Sequence, residues 1–309
     1  MDLKNRRPLC VWASLHTITV MATVVAFLAS ARADIIYVSD SGNNTIRAFN
    51  PNGSSSVFAT NGLSTPEGMA FDSGGNLYVA NDGNNTITKF TPAGVGSVFA
   101  STGLINPIGL AIDNAGNVYV SNQGTYDSQR QRYNCYIEKY TPSGAASVFA
   151  DATGKNPDGL SCDSAGNIYV AYRSGPAEIM EFTPGGTGSV FATNGAKVPA
   201  FLTFDHAGDL YASYATAGIA EFSPSGTILG TITNGMQNCV GIALDSVGDL
   251  YVANFFSSGY IERVTPDGVA SVFASGLPWP VGIALIPEPA SWALLSVGTV
   301  GLLFARRRG

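Results

Sequence analysis

A repeated segment constrains the fold of this chain more than any other feature of its sequence. From the second copy onward it is an Asp-x-x-Gly turn followed by a short apolar run around a tyrosine, as in residues 113–120. The tyrosines of the successive copies are Tyr37, Tyr78, Tyr119, Tyr169, Tyr211 and Tyr251. Their spacings are 41, 41, 50, 42 and 40 residues. A fixed period near 40 residues is typical of stacked modules and propeller blades.

A second kind of turn gives the same count independently. It places proline at the second position and glycine at the fourth, which suits the backbone of a tight turn. The six copies are residues 50–53, 91–94, 141–144, 183–186, 223–226 and 265–268. Two unrelated turn motifs therefore both indicate six units.

Each unit contains four short runs with the composition of β-strands. In the third unit these runs are residues 109–112, 118–120, 136–140 and 147–150, separated by Gly-, Pro- and Asn-containing turns. The second run is apolar at consecutive positions, which is typical of a sheet covered on both faces. Four-stranded modules packed face to face around an axis are propeller blades.

The two ends of the repeat array complement each other. The run at residues 35–38 has no strand before it, whereas residues 281–285 match 240–244 and have no strand after them. The sequence therefore predicts an all-β, six-bladed propeller of four-stranded antiparallel blades at residues 34–286, closed by a C-terminal innermost strand. An open solenoid is the alternative.

Composition agrees with this fold and excludes one class of partner. The chain has 36 glycines, 16 prolines and 12% charged residues, as expected for many short strands joined by turns. Residues 34–286 hold nine cationic and twenty acidic side chains, a net charge of −11. A region with this negative charge is repelled by the phosphate backbone of nucleic acids, so we expect no nucleic-acid partner.

The N-terminus has the organisation of a signal peptide. Lys4, Arg6 and Arg7 precede an apolar run over residues 9–29, and residues 31–33 read Ala-Arg-Ala. This order predicts a signal peptide at residues 1–33 with cleavage after Ala33. An N-terminal membrane anchor is the alternative, because the apolar run is long.

Export would place the cysteines of the mature chain in an oxidising compartment. Cys135, Cys162 and Cys239 are odd in number, so at least one is unpaired or pairs between molecules. A bond between Cys135 and Cys162 is one arrangement that the sequence leaves open.

The unit Gly-Leu-Ala-Ile-Asp-x-x-Gly-Asn-Val-Tyr-Val, with its Ile-x-x-Tyr-Thr-Pro-x-Gly continuation, resembles the NHL repeat over roughly residues 35–286. The resemblance implies the propeller fold. It does not choose a function, because such propellers include both binding scaffolds and enzymes.

The entrances to the innermost strands place two carboxylates, Glu67 and Asp158, in an otherwise apolar ring. Residues 156–160 are similar to the Pro-Asp-Gly motif of gluconolactonase-like propellers, and Glu67 has the equivalent position in its blade. That resemblance implies a divalent metal, such as calcium, which polarises a lactone carbonyl. The other four ring positions are apolar and include no asparagine, so the alternative is that both carboxylates are solvated channel residues.

Two other sets of residues are candidates for metal binding or catalysis. The turn aspartates are expected to cap backbone N–H groups rather than bind metal; they are Asp72, Asp113, Asp163, Asp205 and Asp245. The fold is also similar to that of virginiamycin B lyase, whose chemistry needs a histidine base. The mature chain has only His206, within a turn on the opposite face, so the sequence predicts no such activity.

The third unit is about nine residues longer than its neighbours, and the excess lies at residues 124–135. An insertion in one repeat often maps to a binding face. Tyr126, Arg130, Arg132 and Tyr133 are suited to gripping carboxylates or stacking on sugars, so a polysaccharide or a surface protein is the expected ligand. A tolerated surface loop is the alternative.

The C-terminus resembles the PEP-CTERM sorting signal of Gram-negative bacteria. Pro287, Glu288 and Pro289 precede sixteen uncharged residues and then Arg306, Arg307 and Arg308. The resemblance implies a short transmembrane helix within residues 287–309, transient anchoring in the inner membrane, processing by an exosortase and delivery to the cell surface or extracellular matrix. A permanent anchor is the alternative.

Two functions remain after these tests. The first is a non-catalytic surface propeller that binds its ligand through the face bearing Glu67, Asp158 and the 124–135 insertion. The second is a metal-dependent, lactonase-like hydrolase that uses Glu67 and Asp158. The absent ligand residues and catalytic histidine favour the first.

Overall fold

The computed structural model describes residues 34–175, 177–195, 197–215, 218–233, 236–256 and 258–286. These residues form a six-bladed β-propeller in which every blade is a four-stranded antiparallel sheet. The predicted fold is therefore confirmed. The predicted signal peptide and sorting tail lie outside the described residues.

Each blade has an innermost, a second, a third and an outer strand, counted from the central channel outward. The innermost strands are β4 (Pro66–Phe71), β8 (Pro107–Ile112), β14 (Pro157–Cys162), β18 (Pro199–Phe204), β22 (Cys239–Leu244) and β26 (Pro280–Ile286). The second strands are β1 (Ile35–Asp40), β5 (Leu77–Asn81), β9 (Val118–Asn122), β15 (Ile168–Tyr172), β19 (Leu210–Tyr214) and β23 (Leu250–Asn254). The third strands are β2 (Thr45–Phe49), β6 (Thr86–Phe90), β12 (Tyr136–Tyr140), β16 (Glu178–Phe182), β20 (Gly218–Phe222) and β24 (Gly259–Val264). The outer strands are β3 (Ser55–Ala59), β7 (Gly96–Ala100), β13 (Ala146–Asp151), β17 (Gly188–Thr193), β21 (Ile228–Ile232) and β25 (Ala270–Leu277).

Three further short elements lie in connections between second and third strands. A 3₁₀ turn, η1 (Asp82–Asn84), follows β5 in the second blade. In the third blade a small hairpin, β10 (Tyr126–Asp127) and β11 (Arg132–Tyr133), occupies the inserted segment. The connections that follow second strands share one face of the ring, which we call the top face.

The ring closes between the two ends of the described chain. β26 pairs antiparallel with β1, and Ile35 lies opposite Ile286 while Tyr37 lies opposite Ala284. The first blade is thus assembled from both ends, as the sequence predicts. All six sheets are complete within residues 34–286, which also form one compact unit.

The Asp-x-x-Gly turns on the opposite, bottom face are built by their aspartates. Asp113 Oδ1 accepts hydrogen bonds from the backbone N–H groups of Ala115 and Asn117, at 2.9 and 2.8 Å. The equivalent aspartates of four other blades make the same pair of bonds. This confirms the predicted capping role.

Aromatic pairs fill the blades behind the repeated tyrosine. In five blades this tyrosine packs edge-to-face on the phenylalanine of the outer strand, with ring centroids 4.9 to 5.0 Å apart. Edge-to-face geometry is favoured by the ring quadrupoles, and each buried ring removes a large apolar area from water. The repeat tyrosine is therefore a core residue.

Near the channel, neighbouring innermost strands approach closely because glycine follows the ring position. A side-chain carbon added at Gly68 would lie 2.5 Å from the carbonyl oxygen of Ile108, and one added at Gly159 would lie 2.6 Å from that of Ala200. No side chain fits at such distances. The glycines of the Pro-x-Gly entrance are therefore required by packing between blades.

Buried serines connect blades in alternate pairs. Ser39 Oγ accepts from Gly282 N–H and donates to the carbonyl oxygen of Glu67 in the next blade, both at 2.7 Å. Ser121 and Ser213 make the equivalent bonds to the carbonyl oxygens of Asp158 and Val240. The other three blades have alanine at this position, at Ala80, Ala171 and Ala253.

Cys135, Cys162 and Cys239 are all free thiols, so the disulfide that the sequence left open is not formed. Cys135 instead donates to the carbonyl oxygen of Gln123 at 2.9 Å. Within the described part of the chain, no helix has the length and hydrophobicity needed to span a membrane.

Candidate functional site

A cavity of about 320 Å³ lies at the top mouth of the central channel. Its first set of wall residues follows the opening residue of each innermost strand: Glu67, Ile108, Asp158, Ala200, Val240 and Val281. A second set directly follows the second strand of a blade: Gln123, Arg173, Ala215 and Phe255. Phe201, Asn238 and Cys239 complete the wall. The volume falls within the range of small-molecule sites.

β-Bulges and loop hydrogen bonds hold these two sets in place. In the second blade Pro66 pairs with Asn81 and Met69 with Val79, so the register shifts around Glu67; the fourth blade shifts in the same way around Asp158. Bulges re-aim side chains beside functional sites. The loop side is tied down as well, since the Arg173 N–H donates to the carbonyl oxygen of Asn156 at 3.0 Å.

Asp158 is buried and ion-paired. It is 4% exposed, and its Oδ2 lies 3.4 Å from Nη1 of Arg173. Burial raises the pKa of this carboxyl to about 6, and the Arg173 guanidinium acts in the opposite direction. The hypothesis that Asp158 is a solvated channel residue is therefore wrong.

Glu67 lines the same cavity and is partly exposed. Burial of its carboxyl, followed by repulsion from Asp158 and Asp82, raises the pKa of Glu67 to about 8. The Ser41 hydroxyl and the Arg173 guanidinium favour the ionised form but do not offset these effects. The two predicted carboxylates thus share one electrostatic environment.

An aromatic pair stands beside this polar half. Phe255 lines the cavity and stacks on Trp279, with ring centroids 6.2 Å apart and planes 27° from parallel. Trp279 has a φ of 61°, in the left-handed region that bulky residues avoid. Three other blades place asparagine there, at Asn106, Asn156 and Asn238.

Sequence reasoning found Glu67 and Asp158 but missed Arg173, Gln123 and Phe255. All three directly follow the buried second strand of their blades, at one fixed place in the repeat. Aligning the units on their tyrosines and reading the position beyond that strand would have found them. They were missed because an arginine, a glutamine and a phenylalanine at one repeat position do not form a recognisable motif.

The cavity brings together few of the acidic side chains that usually bind a divalent metal. Calcium takes six to eight oxygen ligands. Among the described residues, no group of three or more His, Cys, Asp or Glu side chains converges on one point. Glu67 and Asp158 offer two carboxylates, and Arg173 faces one of them. His206 is exposed in its bottom-face turn, as the sequence predicts.

The four predicted loop residues lie together in the β10–β11 hairpin. The rings of Tyr126 and Tyr133 are 5.1 Å apart, and the side chains are 50% and 44% exposed. Arg130 pairs with Asp127 at 2.7 Å within the hairpin, so its charge is partly neutralised. Arg132 lies opposite Asp127 in the hairpin register. Their role in binding stays a prediction.

The predicted sorting residues Pro287, Glu288, Pro289 and Arg306 to Arg308 lie outside the described residues. They fall within residues 285–308, which match the PEP-CTERM protein-sorting motif. This motif implies exosortase-dependent sorting and export to the cell surface. Residues 63–90 match the NHL repeat. A search of curated proteins finds no significant relative.

Solved structures share the fold at low sequence identity. A chain of a nidogen/laminin complex superposes with a TM-score of 0.69 at 18% identity, covering 82% of this chain and 98% of that one. A gluconolactonase from Xanthomonas campestris gives 0.60 at 20% identity, covering 71% and 79% of the two chains. A streptogramin B lyase gives 0.62 at 15% identity, covering 82% and 90%. The chain is thus a six-bladed β-propeller that carries an NHL repeat and a C-terminal PEP-CTERM sorting motif.

Proposed function

We propose that the protein is an exported propeller that binds a ligand through its top face without transforming it. The observation that carries this proposal is the mouth cavity, where Glu67, Asp158 and Arg173 meet an apolar wall. A few convergent polar groups in a largely apolar concavity are typical of a ligand site. Export directed by the sorting motif supports the proposal, because it brings the propeller into contact with extracellular ligands.

The β10–β11 hairpin is the second part of this proposed binding face. It follows Gln123, which lines the cavity, and it presents two neighbouring exposed tyrosine rings. Such rings stack on the flat faces of sugars, so a matrix polysaccharide is the extended ligand that this surface fits. Delivery to the extracellular matrix of a Gram-negative bacterium belongs to the same proposal.

A metal-dependent hydrolase is the competing function, since gluconolactonase-like propellers have the same fold. Calcium titration by calorimetry on residues 34–286 tests it, with the Glu67→Ala, Asp158→Ala double variant as control. Tight binding that disappears in the double variant, together with lactone hydrolysis, would establish the hydrolase. Absence of both supports the binding role.

The binding role has its own direct test. Thermal unfolding of residues 34–286 is measured against a panel of small molecules and oligosaccharides, because a ligand that binds the folded state raises its stability. Stabilisation by a cavity ligand should be lost in Phe255→Ala and retained in Asp267→Asn, which alters an exposed bottom-face residue. If no member of a chemically broad panel stabilises the protein, the binding proposal fails.

A further inference from the structure

We propose that the mouth cavity binds a small organic ammonium ion, with its charged head at Glu67 and Asp158 and its apolar body against Phe255. This inference rests on the proposed function and names the chemical class of its ligand.

The carboxylates around the cavity outnumber its cations. Asp158 and the nearby Asp82 both repel the ionised form of Glu67, and Arg173 is the counter-charge that acts on Glu67 and Asp158. Because Arg173 already pairs with Asp158, it leaves Glu67 without a close cationic partner among the described residues. A ligand that brings one positive charge relieves this repulsion, whereas an anionic ligand adds to it.

The walls favour an organic cation over a bare metal ion. Phe201, Val240 and Val281 line one part of the cavity with apolar side chains, which cannot replace the hydration shell of a metal. An ammonium head needs only a few acceptors, here the carboxylates and the amide oxygen of Gln123. Its hydrocarbon body gains free energy by leaving water for the apolar wall.

The aromatic pair supplies an independent observation. A tryptophan at a φ of 61° is unfavourable, whereas asparagine tolerates this region and has the same place in three other blades. The backbone holds Trp279 there through its N–H, which donates to Phe256 O, and its carbonyl oxygen, which accepts from Ser41 N–H, both at 3.1 Å. Backbone strain that the surrounding structure maintains is found mostly at functional sites. The indole stacks on Phe255 and so supports the ring in the cavity wall, which is an aromatic surface of the kind that binds ammonium groups.

Binding should release a proton from Glu67 at neutral pH. A bound cation favours the ionised carboxylate, so affinity rises with pH until Glu67 is ionised in the free protein as well. The groups around Glu67 are Asp158 on β14, Asp82 in η1, Arg173 after β15, the Ser41 hydroxyl and the thiol of Cys239 on β22. Burial, with Glu262, raises the pKa of Cys239 to about 12, so this thiol stays neutral over the range tested. The strands β8, β18 and β26 contribute uncharged ring residues.

The probe is 2-phenylethylammonium, compared with the neutral 2-phenylethanol and the anionic phenylacetate, titrated by calorimetry into the full-length protein in a nonionic detergent. We expect the ammonium ion to bind at least about tenfold more tightly than the alcohol, and phenylacetate to bind more weakly than either. Between pH 7 and 9 its affinity should rise by up to about tenfold, and Glu67→Gln should abolish the rise.

The matched variant is Trp279→Asn, which restores the residue of three other blades and should leave thermal stability unchanged or raise it. Trp279→Asn should lower the affinity for the ammonium ion about tenfold. Tyr126→Asn, which removes another exposed aromatic ring, should leave that affinity unchanged. Equal binding of ammonium and alcohol, no binding of the ammonium ion, or affinity unchanged by both Trp279→Asn and Glu67→Gln overturns the inference. Phenylacetate or alcohol binding that is tighter than that of the ammonium ion, and that Phe255→Ala removes, would overturn the ammonium ligand but keep the binding role. Lactone hydrolysis lost in Glu67→Gln would overturn the proposed function itself.

Discussion

At the scale of single residues, Glu67 links the cavity to the stability of the whole protein. Its pKa is about 8 in the folded state against an ordinary value of 4.5, so the folded protein holds a proton that the unfolded chain has lost in this range. The free energy of unfolding therefore falls as pH rises from about 4.5 to 8. Glu138 and Glu262, which are buried and have raised pKa values, act in the same direction.

Glu67→Gln should flatten this fall, because glutamine cannot ionise. The steepest contribution of one such group is about 1.4 kcal/mol per pH unit, so the difference between the variant and the native protein measures Glu67 together with its repulsion of Asp158. Urea unfolding at several pH values between 5 and 8.5 provides the comparison. A parallel pH dependence in the two proteins would contradict the assigned environment, and Asp267→Asn is the charge-removing control.

The serine bridges make a second prediction about single residues. Ser121→Ala removes the acceptor of Gly109 N–H and the donor to Asp158 O, both in the buried inner ring. We expect a loss of about 1–3 kcal/mol in the free energy of unfolding, since buried polar groups are left without partners. Denaturant titration measures it, with Ser97→Ala on an exposed outer strand as control. An effect no larger than that of the control would show that water replaces the hydroxyl.

At the scale of elements, β26 is the strand on which closure depends. A chain that ends after Leu277 lacks the innermost strand of the first blade and exposes the free edge of β1, so we expect it to lose cooperative unfolding and to aggregate. A chain that ends after Ile286 keeps all six sheets and is the control. Near-ultraviolet circular dichroism and thermal unfolding distinguish the two. Equal cooperativity would mean that the ring does not need its closing strand.

The β10–β11 hairpin should be separable from the propeller in function and in stability. Tyr126→Ala with Tyr133→Ala removes two largely exposed rings, so thermal stability should change little. If the hairpin binds sugars, the double variant should lose retention on the matching polysaccharide by about tenfold while cavity ligands still bind. Affinity electrophoresis in polysaccharide gels measures this. Unchanged retention would reduce the insertion to a tolerated loop.

The strands could be predicted well from the sequence because each repeat contains recognisable turn motifs. The Asp-x-x-Gly and Pro-x-Gly motifs determine where strands end. The run at residues 281–285 predicts the strand that closes the ring. Only some of the cavity residues, Glu67 and Asp158, were predicted. The position of Arg173 beside them depends on how the blades are arranged around the axis. Likewise, the pairing of Arg130 with Asp127 and the strained backbone of Trp279 depend on local three-dimensional geometry.

At the scale of the whole molecule, folding and sorting should be separable. The propeller completes its sheets by Ile286, and the PEP-CTERM motif spans residues 285–308. Removing residues 287–309 should therefore preserve the fold and any cavity binding but prevent delivery to the cell surface. Cell fractionation with protease added outside intact cells measures delivery. Surface exposure of the shortened chain at the native level would show that sorting does not use the motif.

The alternation of serine and alanine around the channel divides the ring into three pairs of blades. Hydrogen bonds from Ser39, Ser121 and Ser213 join the first blade to the second, the third to the fourth and the fifth to the sixth. The intervening junctions have Ala80, Ala171 and Ala253 instead. At this position, three of the six junctions therefore have a buried hydrogen bond that the other three lack. If this bond decides where the ring parts, transient opening in the native state should separate blades at an alanine junction before it separates them at a serine junction.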